Sequence, residues 1–385
     1  MREVAVIGIG QTRVEEHWDK SLREIAGEAI FLAQQECGLE HADSLFIGNM
    51  MSGSANRQQH LGSYIADWIG MRFTEGYHIE SACSSGAAAF RSAVMAVASG
   101  SVDSAIAVGV EKMTDSPGAE ITTQLATAAD ADWEADMGLS FVAINALIMQ
   151  RYLHEYHWTK DDFAGFSINA HANGAKNPYA RFQEPISKAS YQKAPMIADP
   201  INLMDASPMG DGAAAAIVVP VEMIHRQKGH KLIKVAASTA ATDTIAAHAR
   251  LRPIWLSAAE KSVKQAYAQA GISPSDIGVF ELHDAFTIMA ALSLEACGFV
   301  EPGQGPKMAI EEQICPKGRV PIATRGGLKA RGHPVGATGM YQIVEVVQQL
   351  RGEAGETQVE RPVYGMAQNI GGSGSNIITH ILRAE

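Results

Sequence analysis

The sequence predicts an α/β fold made of two related halves with mixed β-sheets. Short apolar segments alternate with Ala-rich helical segments along most of the 385 residues, a pattern typical of strands packed between helices. A short motif also occurs twice: Cys83-Ser-Ser-Gly-Ala and His333-Pro-Val-Gly-Ala each place a reactive side chain before a glycine, an alanine and an apolar helical stretch. Two such halves stacked back to back would form five layers in the order αβαβα.

A second pair of segments supports the internal repeat. Gly38 and Gly271 each follow an Ala-rich helical segment, and an aspartate, Asp43 or Asp276, stands five positions later, before an apolar strand. Because glycine readily adopts the left-handed conformation that ends helices, both glycines are predicted helix C-caps. The repeat therefore predicts that the two reactive side chains meet across a pseudo-twofold axis.

The first half is predicted to comprise residues 1–111 and 201–225. Its strands are short, continuous apolar runs, which are typical of strands covered on both faces, and its helices carry apolar residues at helical spacing. In chain order we predict a strand at 3–9, a helix at 21–37, a strand at 44–48, a helix at about 84–99, a strand at 104–110 and a strand that begins at Gly212.

Composition changes between residues 112 and 200, where Ala, Asp, Met and His become frequent. One long helix is predicted at about 137–156, and Pro- and Gly-punctuated segments follow it. We interpret this stretch as an inserted loop domain that contacts the substrate. The second half, residues 226–385, then repeats the alternation, with strands at 232–238 and 277–282, helices at 257–270, 286–297 and about 337–351, and strands near 362–367 and 375–382.

The bulk composition indicates an ordinary globular protein. Apolar residues make up 46% of the chain, and 42 acidic residues outnumber 31 basic residues to give a net charge of −11. Such a surplus repels nucleic acid and anionic membranes, so we expect neither as a partner. The N-terminus lacks the apolar core of a signal peptide, and no segment has the roughly 20 apolar residues that span a bilayer. Four widely spaced cysteines without a CxxC pair suit a reducing cytoplasm, and we expect no metal site.

Cys83 is the candidate nucleophile. Small residues on both sides of it allow a tight turn and the close approach of a ligand. At the start of a predicted helix, the helix dipole and unpaired N–H groups favour a thiolate and could hold an oxyanion. An isolated cysteine is more often a buried structural residue, but the Gly/Ser/Ala setting and the matching His333 motif favour catalysis.

Two histidines are candidates for acid–base chemistry. His333 stands between two glycine clusters, and a neutral imidazole can accept a thiol proton near neutral pH. His283 follows an apolar strand, and functional groups collect at strand ends in α/β folds. A histidine bonded to the backbone is the structural alternative for His283, and Asp284 could simply cap the next helix.

Two further glycine-rich segments are weaker signals. Asn369-Ile-Gly-Gly-Ser-Gly precedes the last strand and could direct backbone N–H groups at a developing negative charge, although a hairpin would also explain its glycines. Gly8-Ile-Gly10 begins like a dinucleotide-binding loop but lacks the third glycine, so we interpret it as structural.

In chain order, these motifs resemble those of the thiolase superfamily. The resemblance extends from Val4 to about Ile381, and it is to the branch that contains archaeal acetyl-CoA acetyltransferases and sterol-carrier-type thiolases. It implies the thiolase fold. The segments that carry it are those around Cys83, His283, His333 and Asn369, together with Asp205-Ala-Ser-Pro-Met-Gly-Asp-Gly and Asn177-Pro-Tyr-Ala-Arg-Phe.

The resemblance implies an acyltransferase that cleaves a 3-oxoacyl-CoA with free CoA, or condenses two acyl-CoA molecules in reverse. Cys83 would attack the 3-keto carbon after His333 has taken its proton, and CoA would then release the acyl group from Cys83. His283 and His333 would hold the thioester oxygen of the enolate, while the N–H groups of Cys83 and Gly371 would hold the tetrahedral oxyanion. Coenzyme A is then a co-substrate, and no permanently bound cofactor is implied.

Three residues are expected to contact the substrate: Asn369, Phe286 and Met113. Met113 belongs to the insertion, whose methionines could form an adaptable apolar wall, although a core role is the alternative. Succinylated or aromatic acyl groups fit the resemblance as well as acetoacetyl-CoA does. The residues that bind the CoA phosphates are not identified by these motifs.

The sequence departs from main-type thiolases at two positions. Those enzymes carry a second cysteine where Asn369 stands and an asparagine where His283 stands, and sterol-carrier-type enzymes often have a cysteine where Ala285 stands. His283 is therefore our candidate for handling the α-carbon proton. A cysteine with two histidines also matches decarboxylating ketosynthases, and a non-catalytic acyl-CoA-binding subunit is a third alternative.

The resemblance also implies partners. Thiolase-like chains pair their sheets near the nucleophile, which predicts a homodimer or a dimer of dimers. Members of this branch are often found with a small OB-fold/zinc-ribbon protein that helps hold acyl-CoA. A heteromeric complex with such a protein is therefore a second expectation.

Overall fold

The computed structural model describes residues 1–224 and 230–385. The predicted boundary between the first half and the second half, at residues 225 and 226, lies outside the described residues. The strands are β1 (Val4–Gln11), β2 (Ser44–Gly48), β3 (Glu75–Ile79), β4 (Ala105–Glu111), β5 (Met196–Ala198), β6 (Ile201–Asn202), β7 (Gly212–Pro220), β8 (Ile233–Thr242), β9 (Ile277–Glu281), β10 (Tyr364–Gly371) and β11 (Asn376–Ala384).

The α-helices flank the strands, and four of them lie in the inserted stretch. They are α1 (Leu22–Cys37), α2 (Ser52–Ala55), α3 (Leu61–Trp68), α4 (Ser85–Ser99), α5 (Gly118–Ala126), α6 (Phe141–Tyr156), α7 (Ala164–Gly174), α8 (Lys188–Gln192), α9 (Ser257–Ala270), α10 (Thr287–Ala296), α11 (Gly305–Ile310) and α12 (Thr338–Arg351). Among residues 1–224 and 230–385, no helix combines the length and the apolar character that crossing a bilayer requires.

Nine strands form one mixed sheet in the order β3-β2-β4-β7-β1-β8-β11-β10-β9. The two halves join where β1 pairs with β8 through two residue pairs, Ala5 with Lys234 and Val6 with Ile233. Counted outward from this joint, each half has two antiparallel pairings followed by a parallel one. The sheet therefore has the internal pseudo-symmetry that the repeated motifs predict.

Helices α4 and α12 form the middle layer of the molecule. Each of them packs against strands of both halves, whereas α1 and α3 cover the outer face of the first half and α9 covers the outer face of the second. Phe90 of α4 and Val344 of α12 are fully buried in one core cluster with residues of both halves. The predicted αβαβα order is thus confirmed.

Most predicted elements are present with small shifts of their ends. Gly38 and Gly271 end α1 and α9 with φ angles of 73° and 67°, in the left-handed region that glycine favours. The long helix begins at Phe141, later than predicted, because the side chain of Ser140 accepts a hydrogen bond from the N–H of Ala143 at 3.2 Å and caps it.

Glycines in β1 are explained by helix packing. A Cβ atom on Gly8 or Gly10 would clash with the backbone carbonyl oxygens of Ala33 and Ala29 in α1. This close approach agrees with the structural interpretation of Gly8-Ile-Gly10, since both glycines lie within a strand and against a helix.

The inserted stretch packs on the second half. Tyr152 of α6 and Phe163 are fully buried in the same cluster as Phe280 of β9 and Leu292 of α10. This packing places the insertion beside the strand that leads into His283. The predicted division into two halves and an inserted domain stays a prediction.

Candidate active site

Cys83, His283 and His333 meet at one point of the fold. The Sγ atom of Cys83 and one ring nitrogen of each histidine all lie within 4.8 Å of one another. The two imidazole rings meet edge to face, with centroids 5.1 Å apart and planes at 85°. All three side chains are buried and line a cavity of about 550 Å³. Side chains from three distant segments thus share one pocket, as the motifs predict.

Serine hydroxyl groups fix the turn that carries Cys83. Cys83 stands two positions before α4, and the preceding residue, Ala82, has a φ angle of 49°. Ser84 Oγ donates to the carbonyl oxygen of Ser81 at 2.6 Å, and Ser85 Oγ donates to that of Ala82 at 2.6 Å. These bonds hold the turn in its strained backbone conformation and direct the thiol into the cavity.

Glycines of the two repeated motifs let the starts of α4 and α12 touch. A Cβ atom on Gly86 would lie 2.7 Å from the carbonyl oxygen of Gly336 and 3.0 Å from the nitrogen of Met340, and a Cβ atom on Gly339 would clash with the nitrogen of Ala87. The small residues that follow Cys83 and His333 are therefore what allows the two helices to bring the thiol to the imidazole.

Thr338 orients His333. Its Oγ1 atom donates to the carbonyl oxygen of Pro334 at 3.1 Å and lies 2.6 Å from His333 Nδ1. Because the hydroxyl proton is used in the bond to Pro334, the hydroxyl oxygen accepts the Nδ1–H of His333. The Nε2 atom of His333 then carries the lone pair that a general base needs.

Asn369 fixes His283 in the opposite tautomer from that of His333. Its Nδ2 atom donates to His283 Nδ1 at 2.8 Å, which leaves the proton of His283 on Nε2. The site therefore offers one ring nitrogen as an acceptor and one as a donor. Asn369 is 1% exposed and lies behind the imidazole, and its direct contact with substrate stays a prediction.

The remaining predicted site residues lie at different positions relative to the cavity. Phe286 and Met113 both line the cavity beside Cys83. Gly371 packs against the Cys83 turn, since a Cβ atom there would lie 2.7 Å from the carbonyl oxygen of Ser81. The backbone N–H groups that lower the pKa of Cys83 are those of Gly372 and of Cys83 itself, so the oxyanion roles of the Cys83 and Gly371 N–H groups stay predictions.

Burial controls the protonation of the site. Burial, together with the nearby carboxylate of Glu111, raises the pKa of Cys83 to about 12. Burial and the positive charge of Arg331 lower the pKa of His283 to about 3. Burial, His283 and Arg331 lower the pKa of His333 well below its usual range. The resting site therefore holds a neutral thiol and two neutral imidazoles. The thiolate expected from the helix start does not form there, because lost solvation outweighs the stabilisation by N–H groups.

Glu111, at the end of β4, was not among the predicted site residues. Its carboxylate accepts hydrogen bonds from Asn49 Nδ2 at 2.8 Å, from the N–H groups of Met50 and Met51 at 3.0 and 3.1 Å, and from the N–H of Gly336 at 2.9 Å. Burial raises the pKa of Glu111 to about 7 although these donors favour its charged form. The sequence signal that could have identified Glu111 was a charged residue at the end of an otherwise apolar strand.

Among residues 1–224 and 230–385, two groups of side chains have donor atoms close enough to hold a metal ion. One is the set Cys83, His283 and His333, and the other is Glu36, His230 and Glu353. Members of the second set already have partners, since Glu36 pairs with Arg351 at 2.8 Å and His230 contacts Glu353 at 2.5 Å. Ion pairing accounts for the second set without a metal.

Comparison with known proteins identifies relatives along the whole chain. The model of the thiolase N-terminal domain matches residues 4–222, and that of the thiolase C-terminal domain matches residues 239–384. The acetyl-CoA acetyltransferase of Methanothermobacter thermautotrophicus is 42% identical over 383 residues, which cover 99% of each chain. The benzoylsuccinyl-CoA thiolase subunit BbsB of Thauera aromatica is 32% identical over 366 residues, covering 93% of this chain and 92% of BbsB.

A solved structure has the same fold. The Ltp2-ChsH2(DUF35) aldolase superposes with a TM-score of 0.86 at 24% identity, covering 99% of this chain and 98% of that one. At this identity the likeness concerns the fold alone. The domain models and full-length relatives confirm the resemblance found in the motifs, and the chain belongs to the thiolase family.

Proposed function

We propose that the protein is a thiolase-type acyl-CoA C-acyltransferase, which cleaves a 3-oxoacyl-CoA with free CoA or runs the reverse Claisen condensation. The observation that carries the proposal is the meeting of Cys83 Sγ with ring nitrogens of His283 and His333 within 4.8 Å, in a cavity. A nucleophilic thiol, a proton acceptor and an N–H donor are the groups that this chemistry requires.

In the first half-reaction, His333 Nε2 accepts the proton of Cys83 while the sulfur bonds to the 3-keto carbon. Backbone N–H groups near Cys83 stabilise the oxyanion that forms. When the carbonyl reforms, the bond between C2 and C3 breaks, and its electron pair moves to the CoA thioester as an enolate. The Nε2–H of His283 donates to the thioester oxygen. His283, our candidate for protonation of C2, gives its Nε2 proton to C2 and takes from His333 the proton that left Cys83, so that both imidazoles end neutral.

In the second half-reaction, the thiol of free CoA attacks the acyl group on Cys83. His333 accepts the CoA proton as the new carbon–sulfur bond forms. The bond from the acyl carbon to Cys83 then breaks, and the released sulfur regains a proton from His333. Coenzyme A is thus consumed as a co-substrate, and the site returns to its neutral resting form.

The test is thiolysis by the purified protein across a panel of 3-oxoacyl-CoAs, with intact mass measured after an acid quench. CoA-dependent cleavage and an acyl adduct are expected, and both should disappear in Cys83→Ala. The half-buried Cys315 supplies a matched control, since Cys315→Ala should retain both signals. Turnover retained in Cys83→Ala would reject the proposal.

Two other outcomes would identify the alternatives. Product formed from a malonyl thioester without any thiolysis would indicate a decarboxylating condensing enzyme. Failure of every 3-oxoacyl-CoA to acylate Cys83 would indicate a non-catalytic acyl-CoA-binding subunit.

The size of the cavity supports an acyl group larger than acetyl. A cavity of about 550 Å³ with apolar residues such as Phe141, Leu203 and Met289 in its wall has room for a succinylated or aromatic acyl group. The name of BbsB supports the same class. The substrate panel above separates these groups from acetoacetyl-CoA.

The proposal includes a homodimer formed at the edge of the sheet. Among the described strands β3 is an outermost one, and Tyr77 within it and Phe73 just before it are exposed. Pairing of two β3 strands would cover this edge and these rings. Light scattering after gel filtration should give twice the mass of the 41.0 kDa chain, and a monomer would contradict it.

The proposal also includes a small OB-fold/zinc-ribbon partner that helps hold acyl-CoA. Support comes from the DUF35 component of the similar aldolase and from the designation of BbsB as a subunit. Co-expression with the products of neighbouring genes should yield a co-purifying complex with a lower KM for acyl-CoA.

A further inference from the structure

The cavity contains one buried ammonium group that the proposed mechanism does not use. Among the described residues that line the cavity, Lys329 is the only lysine or arginine. It is 1% exposed and lies in the irregular helical turn Gly327–Arg331, four positions before His333. A lysine this deeply buried normally requires a partner, because its charge has lost the solvation of water.

The protein itself satisfies only part of this ammonium. Nζ donates to the backbone carbonyl oxygen of Asp205, and an ammonium has three donors. Within residues 1–224 and 230–385, Lys329 has neither a second hydrogen-bond acceptor nor an ion pair within 4.0 Å. Two N–H donors of a buried cation are thus left for a group inside the cavity.

The nearest acidic side chains are committed elsewhere. Asp205 Oδ1 accepts hydrogen bonds from Tyr191 and Thr287 at 2.6 Å, and its Oδ2 accepts the N–H of Asn202 at 2.9 Å. Asp284 accepts the N–H of Leu328 at 2.7 Å. Burial lowers the pKa of Lys329, and the charges of Asp284 and Asp205 oppose this effect, so that its pKa is about 8. The two carboxylates do not occupy its free donors.

The rest of this wall offers an anion no second cation, and Glu184, which also lines the cavity, is exposed to solvent. His171 of α7 also lines the cavity, and burial together with the positive charge of Lys329 lowers its pKa, so its ring stays neutral. The ring stacks on Phe182 with centroids 5.9 Å apart. Pro185 and Ile186 continue the wall as apolar residues. Lys329 is therefore the one positive charge on this side of the cavity.

We propose that Lys329 forms a carboxylate subsite, so that the enzyme selects 3-oxoacyl-CoA substrates whose acyl chain ends in a carboxylate. The selection of substrates rests on the proposed thiolase function, whereas the binding of a carboxylate at Lys329 does not require turnover. A carboxylate would supply the acceptors that two ammonium donors lack, and a charge-assisted bond in a buried site favours it over a methyl group.

Binding tests the subsite separately from catalysis. Adipyl-CoA and hexanoyl-CoA have chains of six carbons and lack the 3-oxo group, so neither can be cleaved. Calorimetry on the full chain should show that adipyl-CoA binds at least about tenfold more tightly than hexanoyl-CoA. A factor of about ten corresponds to the free energy of one charge-assisted hydrogen bond. In Lys329→Met the ratio of the two affinities should fall to about one. A ratio within one protein sample does not depend on the folded fraction.

Kinetics supplies the second measurement. The wild-type protein should cleave 3-oxoadipyl-CoA with a kcat/KM at least about tenfold higher than 3-oxohexanoyl-CoA, and Lys329→Met should lose this preference. The exposed Lys307, which lies within 3.8 Å of Glu311 on α11, supplies a matched control, since Lys307→Met should keep both ratios.

Two results would overturn the subsite. Equal wild-type affinity for adipyl-CoA and hexanoyl-CoA would show that no carboxylate is recognised. An equal loss of affinity for both ligands in Lys329→Met would place the ammonium on the CoA portion that the two ligands share. Cleavage of neither substrate, with the binding ratio intact, would reject the thiolase proposal and leave the subsite standing.

Discussion

The orientation of His333 depends on a single hydroxyl group. Thr338 holds the Nδ1 proton, so that Nε2 faces Cys83 as an acceptor. We expect Thr338→Val to lower kcat/KM for thiolysis by about tenfold, because the tautomer and the ring position are no longer fixed. Steady-state kinetics would measure this loss. Thr338→Ser keeps the hydroxyl and should restore activity, and an equally inactive serine variant would contradict the assigned role.

The neutral resting state of Cys83 predicts an unusual pH dependence. Burial places its folded-state pKa at about 12, against an ordinary value of 9.0, so the thiolate fraction stays small and keeps rising with pH up to that value. Alkylation of Cys83 by iodoacetamide, followed by peptide mass spectrometry, should therefore accelerate about tenfold per pH unit between pH 8 and 10. In the denatured protein the rate should be half-maximal near pH 9, the ordinary thiol pKa, and level off above it. A plateau below pH 8 in the folded enzyme would mean that the thiolate is already formed.

At the level of single residues, the sequence could identify groups with distinctive chemistry in a glycine-rich setting. Cys83, His283 and His333 met that criterion. Thr338, Lys329 and Glu111 did not, because their roles depend on burial and on contacts that only the folded chain creates. The hydroxyl of Thr338, for example, matters only because a helical turn returns it to His333.

Between elements, the carboxylate of Glu111 connects the turn after β2 to the loop before α12. In Glu111→Gln the amide group would face some of these N–H donors and leave them without an acceptor. We expect a loss of about 1–3 kcal/mol in unfolding free energy and at least a tenfold loss in kcat/KM, measured by urea denaturation and thiolysis. Glu120→Gln, at an exposed position in α5, should change neither. Full activity in Glu111→Gln would show that the loop holds its position without this carboxylate.

Elements were predictable where apolar residues repeat without interruption, as in β4 and α12. Strand β3 was missed because it is a half-exposed edge strand with the mixed sequence Glu-Gly-Tyr-His-Ile. Hydrogen bonds to the neighbouring strand β2 hold β3 in the sheet, and the residue pattern of β3 does not reveal them. Edge elements depend on their neighbours in this way, so local periodicity does not define them.

Across the whole molecule, catalysis depends on how closely α4 and α12 approach each other. Gly339→Ala places a methyl group against the nitrogen of Ala87, and we expect the helices to separate and carry the thiol away from the imidazole. A displacement near 1 Å commonly costs about 10²-fold in rate, which thiolysis kinetics would measure. Thermal unfolding would show whether the fold persists. In Gly118→Ala the added methyl group meets only Met209 at 3.9 Å, so this control variant should keep the wild-type rate. A Gly339→Ala variant with wild-type activity would contradict the packing argument.

The internal pseudo-symmetry explains why the fold class was accessible from sequence. Two copies of one motif, with matching helix ends at Gly38 and Gly271, indicated a duplicated architecture. The pairing of β1 with β8 could not be predicted from the sequence, because two residue pairs give no recognisable sequence pattern. The position of the inserted stretch on the second half depended likewise on contacts between residues far apart in the chain.

Because the thiol stands on one half of the molecule and its base on the other, neither half could act alone. A chain cut between the halves would give two inert fragments, and each would expose the apolar side of a helix that normally lies in the middle layer. Any recovered turnover would have to follow the second-order kinetics of their reassociation. The pseudo-symmetric fold therefore also divides the reaction between two parts that must be present in one folded molecule.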